Sequence, residues 1–169
     1  MKRSLLIGLM VLFVVLPIVG ADIAVSEEKI QSGADRLWLT SAEGGPGDTI
    51  MVDVMIENAV TKIDAVTMRF RYDTTKLQYV DWEDGTLNPG WVMFNLNESE
   101  PGLIVLGGFC IQTAIEPGSK GSLVRMSFKV KSDAAGGPSF VTVDTLLDDV
   151  KDFHSENGKI EFKKATLGK

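Results

Sequence analysis

From residue 35 onward the chain is written in short apolar runs, most of them alternating with polar residues, and each run ends at a cluster of Gly, Pro, Asn or Asp. A period of two places successive side chains on opposite faces of an extended strand. Frequent turn clusters between such runs leave no room for long helices and point to a sandwich or barrel.

Residues 36–40 form the first run, and Glu43-Gly44-Gly45-Pro46-Gly47-Asp48 is a dense turn signal. In 49–57, Ile50, Val52, Val54 and Ile56 share one face, with Met51, Asp53, Met55 and Glu57 on the other. In 65–72, Val66, Met68, Phe70 and Tyr72 are expected inward and Thr67, Arg69 and Arg71 outward. Residues 77–82 follow the Asp73-Thr74-Thr75-Lys76 turn, and 91–96 follow Asn88-Pro89-Gly90. Residues 103–110, after Pro101-Gly102, are apolar without alternation. That suits either a strand buried on both sides or an exposed apolar binding face. In 123–131, Val124, Met126, Phe128 and Val130 are expected inward, with Arg125, Ser127, Lys129 and Lys131 outward. Runs at 140–147 and 159–162 complete about nine strands of an all-β sandwich. No helix of three turns is evident after the N-terminal segment.

That N-terminal segment is not part of the fold. Lys2 and Arg3 precede a run from Leu5 to Val19 that is almost wholly apolar, and Val19-Gly20-Ala21 is a small-residue cleavage pattern. This is the three-part form of a secretory signal peptide. The run is shorter than the ~20 residues a spanning helix needs. Residues 1–21 are therefore read as a signal peptide, with retention as an anchor the alternative, and the expected location is extracellular or cell-surface. A membrane tether follows only from retention. Residues 22–34 read as a linker, 35–163 as the folded domain and 164–169 as a basic tail.

The 169 residues carry a formal charge of −6, which becomes −8 without Lys2 and Arg3. An acidic chain is a poor match for nucleic acid. Cys110 is the single cysteine and His154 the single histidine, so an intramolecular disulfide is impossible. Most metal-site and general-base chemistry goes with them. Asp144, Asp148, Asp149 and Asp152 lack the regular spacing of a calcium loop and read as a solvated turn. Paired acids such as Glu98 and Glu100, or Asp81, Glu83 and Asp84, read as turn residues rather than a glycosidase pair. Trp38, Trp82 and Trp91 are candidates for a sugar-stacking platform, with packing the plainer expectation and Trp82 the most exposed of the three. Asn97-Glu98-Ser99 is a glycosylation sequon.

Several segments, in order, resemble the cohesin family. These are Pro46-Gly47-Asp48-Thr49 before an alternating strand, and Asn58-Ala59-Val60 followed by Phe70-Arg71-Tyr72-Asp73 and Leu77. Pro101-Gly102 running into 103–108, the stretch 121–130, and Asn157-Gly158-Lys159-Ile160 continue the series. The resemblance covers roughly residues 35–163. It implies a nine-stranded jelly-roll sandwich without enzymatic activity or a cofactor of its own. It further implies a dockerin domain as partner, with calcium belonging to the dockerin. The family's binding face is built from its third, fifth, sixth and eighth strands. With 65–72 as the third and 121–130 as the eighth, the expected partner-binding residues are Thr67, Arg69, Arg71, Gly107, Phe109, Arg125, Ser127 and Lys129, with Gln112 in the following loop. On this reading four cations share one face. The competing function is a carbohydrate-binding module on a related jelly roll, and self-association through an unoccupied apolar face is a further expectation.

Overall fold

The computed structural model describes residues 34–163, except 88–90, 92 and 135–136. The signal segment 1–21, the linker up to residue 33, the tail 164–169 and the Asn88-Pro89-Gly90 turn lie outside the described residues.

Eleven strands are present: β1 (Arg36–Leu39), β2 (Ala42–Gly44), β3 (Thr49–Asn58), β4 (Ala65–Tyr72), β5 (Leu77–Asp84), β6 (Asn95–Glu100), β7 (Leu103–Phe109), β8 (Ser119–Val130), β9 (Ser139–Asp148), β10 (His154–Glu156) and β11 (Gly158–Phe162). They form a five-stranded sheet in the order β10-β1-β3-β8-β5 and a six-stranded sheet in the order β2-β11-β9-β4-β7-β6. Pairing is antiparallel except for β1 with β10 and β2 with β11.

The period-two reading places the core correctly. Ile50, Val52, Val54 and Ile56 on β3, Val66, Met68, Phe70 and Tyr72 on β4, and Val124, Met126, Phe128 and Val130 on β8 all point between the sheets. Burying these side chains on both inner faces is the main driving force for the sandwich.

The two strands beyond the expected nine have one cause. The chain switches sheets at both ends: β1 and β2 are separated by Thr40 and Ser41, and β10 and β11 by Asn157. Side chains at these corners satisfy backbone groups that the broken ladders leave open. The Asp53 amide donates to Thr40 Oγ1 at 2.8 Å, Val143 N–H to Asn157 Oδ1 at 2.8 Å, and Lys159 N–H to Ser41 Oγ at 3.1 Å. A Cβ on Gly158 would stand 2.7 Å from the Thr40 carbonyl oxygen, so the corner requires glycine. Three-residue strands are too short for a period-two pattern, which is why Glu43 and Gly44 read as turn.

The run expected at 91–96 is displaced. The strand is Asn95–Glu100, and Met93, with φ of 60°, breaks the extension before it. Trp91 turns into the core, where its Nε1 donates to the Thr113 carbonyl at 2.9 Å.

Tyr72 joins the two layers. Its ring meets Phe128 of the opposite sheet edge-on at 5.2 Å, and Tyr79, paired with Phe128 within the five-stranded sheet, meets it edge-on at 5.9 Å. The Tyr72 hydroxyl donates to Glu98 and accepts from the Tyr79 amide. Burial is the leading cause that pushes both phenols up from 10.0 to about 12. A phenol with a raised value favours the fold while protonated, so this contribution is full below pH 10 and lost as pH rises through about 12. The urea midpoint is therefore expected to fall across that alkaline window, and less steeply in Tyr79→Phe. An equal fall in the variant would contradict the assignment to Tyr79.

Candidate functional site

The outer face of the six-stranded sheet is built around β4, with β9 on one side and β7 on the other. The odd-numbered residues of β4 point to solvent, and the register fixes their neighbours. Thr67 lies between Gly107 and Leu147, Arg69 between Val105 and Thr145, and Arg71 between Leu103 and Thr142. Beyond β7, edge strand β6 sets Asn95 against Gly107 and Asn97 against Val105. Phe109 stands opposite Ala65 and is 42% exposed, and Leu147 is 43% exposed.

A register shift in β9 leaves Asp144 without a strand partner and swings it toward Arg71, whose Nε donates to it at 2.9 Å. That hydrogen bond is the main reason the Asp144 carboxyl lies below its ordinary value. Gly107 is a second irregularity. No atom lies within 4 Å of a Cβ built on it, whereas one on neighbouring Gly108 would meet Phe94 at 2.4 Å. The space above Gly107 is therefore open, with Thr67 and Asn95 on the neighbouring strands at either side. Loop 110–118 borders this surface and is tied down by buried Asn58, whose Nδ2 donates to the Thr61 and Glu116 carbonyls at 2.8 Å each. Gln112 is exposed on that loop.

Of the expected site residues, Thr67, Arg69, Arg71, Gly107 and Phe109 fall on this face. Arg125, Ser127 and Lys129 do not: β8 is in the other sheet, between β3 and β5, so they point out of the opposite side of the sandwich. The single four-cation face is therefore corrected. Counted along the chain, residues 123–131 are the seventh expected strand, and β9 takes the eighth place beside β4. Its outward residues Thr142, Thr145 and Leu147 are the ones the sequence reading missed. The signal was the 140–147 run itself, once counted as eighth.

Arg125 has a local role instead. It is held between two carboxylates across neighbouring strands, by Asp53 at 2.6 Å and Glu83 at 3.2 Å. Ser127 Oγ lies 3.1 Å from Met51 Sδ, and Lys129 sits between Thr49 and Gln78. Arg125→Glu would set three carboxylates side by side, and like charges across strands are destabilising. A lower melting temperature with unchanged partner affinity is expected. A loss of affinity in a variant that melts like the parent would instead return Arg125 to the binding face.

The tryptophans form no row. Trp91 is buried, Trp82 is half-buried edge-on against Phe94 at 5.6 Å, and Trp38 lies under the Arg36 guanidinium at 4.4 Å. Trp38 on β1 and Trp82 on β5 are also separated by β3 and β8. Packing is their role. Asp149 accepts from the Asp64 and Ala65 amides, a turn function. Among the described residues no three His, Cys, Asp or Glu side chains are grouped to hold a metal ion. Cys110 lies 3.5 Å from Asp64 Oδ1, and burial with that carboxylate pushes the thiol up, away from the reactive thiolate.

A β-sandwich presenting one broad, open sheet face, with Arg69, Arg71 and Asp144 among otherwise apolar and neutral polar side chains, has the form of a protein-binding module. The family model of the cohesin domain matches residues 37–168, and the chain belongs to the cohesin family. The solution structure of CaCohA2 from Clostridium acetobutylicum is 28% identical, with a TM-score of 0.65 over 79% of this chain and 93% of that one. The sixth cohesin of scaffoldin B from Acetivibrio cellulolyticus, solved in complex with a Cel5 dockerin mutant, is 25% identical, with a TM-score of 0.65 over 77% of this chain and 99% of that one. A non-cellulosomal cohesin from the hyperthermophilic archaeon Archaeoglobus fulgidus shares the fold at 21% identity, with a TM-score of 0.63 over 79% and 94% of the two chains. No curated protein matches the chain.

Proposed function

We propose that this protein is a non-catalytic module that binds a dockerin domain and so tethers a dockerin-bearing protein outside the cell. Family membership supports the reading, as do related cohesins of 25% and 27% identity solved with dockerins. The observation that carries it is the outer face of β6, β7, β4 and β9, where Thr67, Val105, Gly107, Thr145 and Leu147 make a continuous surface with few charges. Interfaces draw most of their energy from such a desolvated centre, with polar groups at the rim. The signal-like segment 1–21 supports export. Calcium belongs to the dockerin in this reading, and this chain needs none.

The test is calorimetric titration of the protein against a panel of dockerins, with calcium and then with chelator. Binding in calcium that disappears on chelation is expected, because dockerin loops depend on the ion to fold. No binding to any dockerin, together with retention on an insoluble polysaccharide, would overturn the reading in favour of a carbohydrate-binding module.

A further inference from the structure

Four arginines lie among the described residues, and three of them hold a carboxylate. Arg36 pairs with Glu57 at 3.1 Å, Arg71 with Asp144 at 2.9 Å, and Arg125 with Asp53 at 2.6 Å. Arg69 alone of the four has no ion pair there. It is exposed at the middle of β4, and its cross-strand neighbours are Val105 and Thr145, neither able to neutralise it. The acids of the same region are already engaged. Asp144 is taken by Arg71 and by the Thr145 hydroxyl at 3.1 Å. Glu98 accepts from the Tyr72 hydroxyl and from the Gly102 amide at 2.9 Å, and Glu100 lies 4.0 Å from Arg71. An acidic chain thus carries, in the middle of this face, one guanidinium without an ion pair, whose charge also acts on the Asp144 carboxylate that Arg71 already holds.

A partner covering this face strips water from that guanidinium. Leaving a cation desolvated and unpaired is strongly unfavourable. The partner must bring a counter-charge, and the planar guanidinium fork matches a carboxylate best. We propose that the partner seats an aspartate or glutamate side chain on Arg69, so that Arg69 selects among partners by charge. The inference rests on the docking function proposed above. A partner lacking the acid is rejected by the unpaired charge rather than merely bound less well.

The test uses a dockerin that binds the unmodified protein, with affinities measured for Arg69→Met and Arg69→Glu at low and high salt. A loss of at least about tenfold in Arg69→Met, larger in Arg69→Glu, is expected. So is recovery of Arg69→Glu binding when one interfacial acid of the dockerin is replaced by lysine. Circular dichroism and melting of both variants should match the parent, since Arg69 makes no ion pair in the fold. Unchanged affinity in both variants, or a loss with no acid-to-lysine rescue, overturns the role of Arg69 while leaving docking intact. Failure of every dockerin to bind the unmodified protein overturns both.

Discussion

Gly107→Trp is expected to abolish dockerin binding while leaving the fold intact. Glycine inside a strand costs about 0.5–1 kcal/mol in lost packing and added chain entropy, so its presence asks for a reason. Backbone conformation supplies none, because Gly107 is not among the glycines with positive φ. Crowding supplies none either, since a Cβ there meets nothing within 4 Å. Gly108 shows the contrast: its Cβ would enter the Phe94 ring at 2.4 Å, so the fold itself demands that glycine. Close approach of a partner's backbone is the reason that remains for Gly107. An indole planted between Thr67 and Asn95 would hold a partner off the central strands. Aromatic residues favour strands, so the melting temperature should hold or rise. A loss of about 100-fold or more in affinity is expected by titration, the scale of a disrupted hot spot. Gly107→Ala should lose far less. Full binding by a folded Gly107→Trp protein would place the docking surface elsewhere.

Phe128→Ala should do the reverse. Phe128 is fully buried on β8, with Tyr72 and Tyr79 packed edge-on against it at 5.2 and 5.9 Å. It bridges the two sheets at the centre of the core. Truncating a buried phenylalanine removes its transfer energy and leaves a cavity, at a cost of about 3–5 kcal/mol. The melting temperature should fall by roughly 10 °C or more. Below the transition, dockerin affinity should be unchanged, since Phe128 faces away from the outer surface of the other sheet. A change under 1 kcal/mol, read by urea denaturation, would mean the core is far looser than its burial indicates.

These two residues show what the sequence can and cannot specify. Phe128 is legible because alternation is local: polar flanks at Ser127 and Lys129 fix its inward direction whatever the strand pairs with. The same alternation makes Arg69 and Arg125 look alike, as outward cations on half-buried strands. What separates them is pairing between distant segments. Arg125 meets Asp53 and Glu83 across β3 and β5, whereas Arg69 meets Val105 and Thr145 across β7 and β9. Each strand carries its inside and outside but no mark of its sheet. Only the ordered resemblance to a family supplied the sheet plan, and a miscount of one strand moved Arg125, Ser127 and Lys129 to the wrong side. Irregular backbone was equally hidden. The Met93 turn, the sheet switches at Thr40 and Asn157, and the Asp144 bulge each depend on a single residue's conformation or on a partner far along the chain.

The most direct test of the account is amide chemical-shift mapping of the labelled protein as an unlabelled dockerin is added. Perturbation concentrated at Thr67, Arg69, Val105, Gly107, Thr145 and Leu147, with Asp53, Arg125 and Lys129 unmoved, is the predicted result. Perturbation centred on Arg125 and Lys129, with β4 and β9 silent, would contradict it and place docking on the five-stranded sheet.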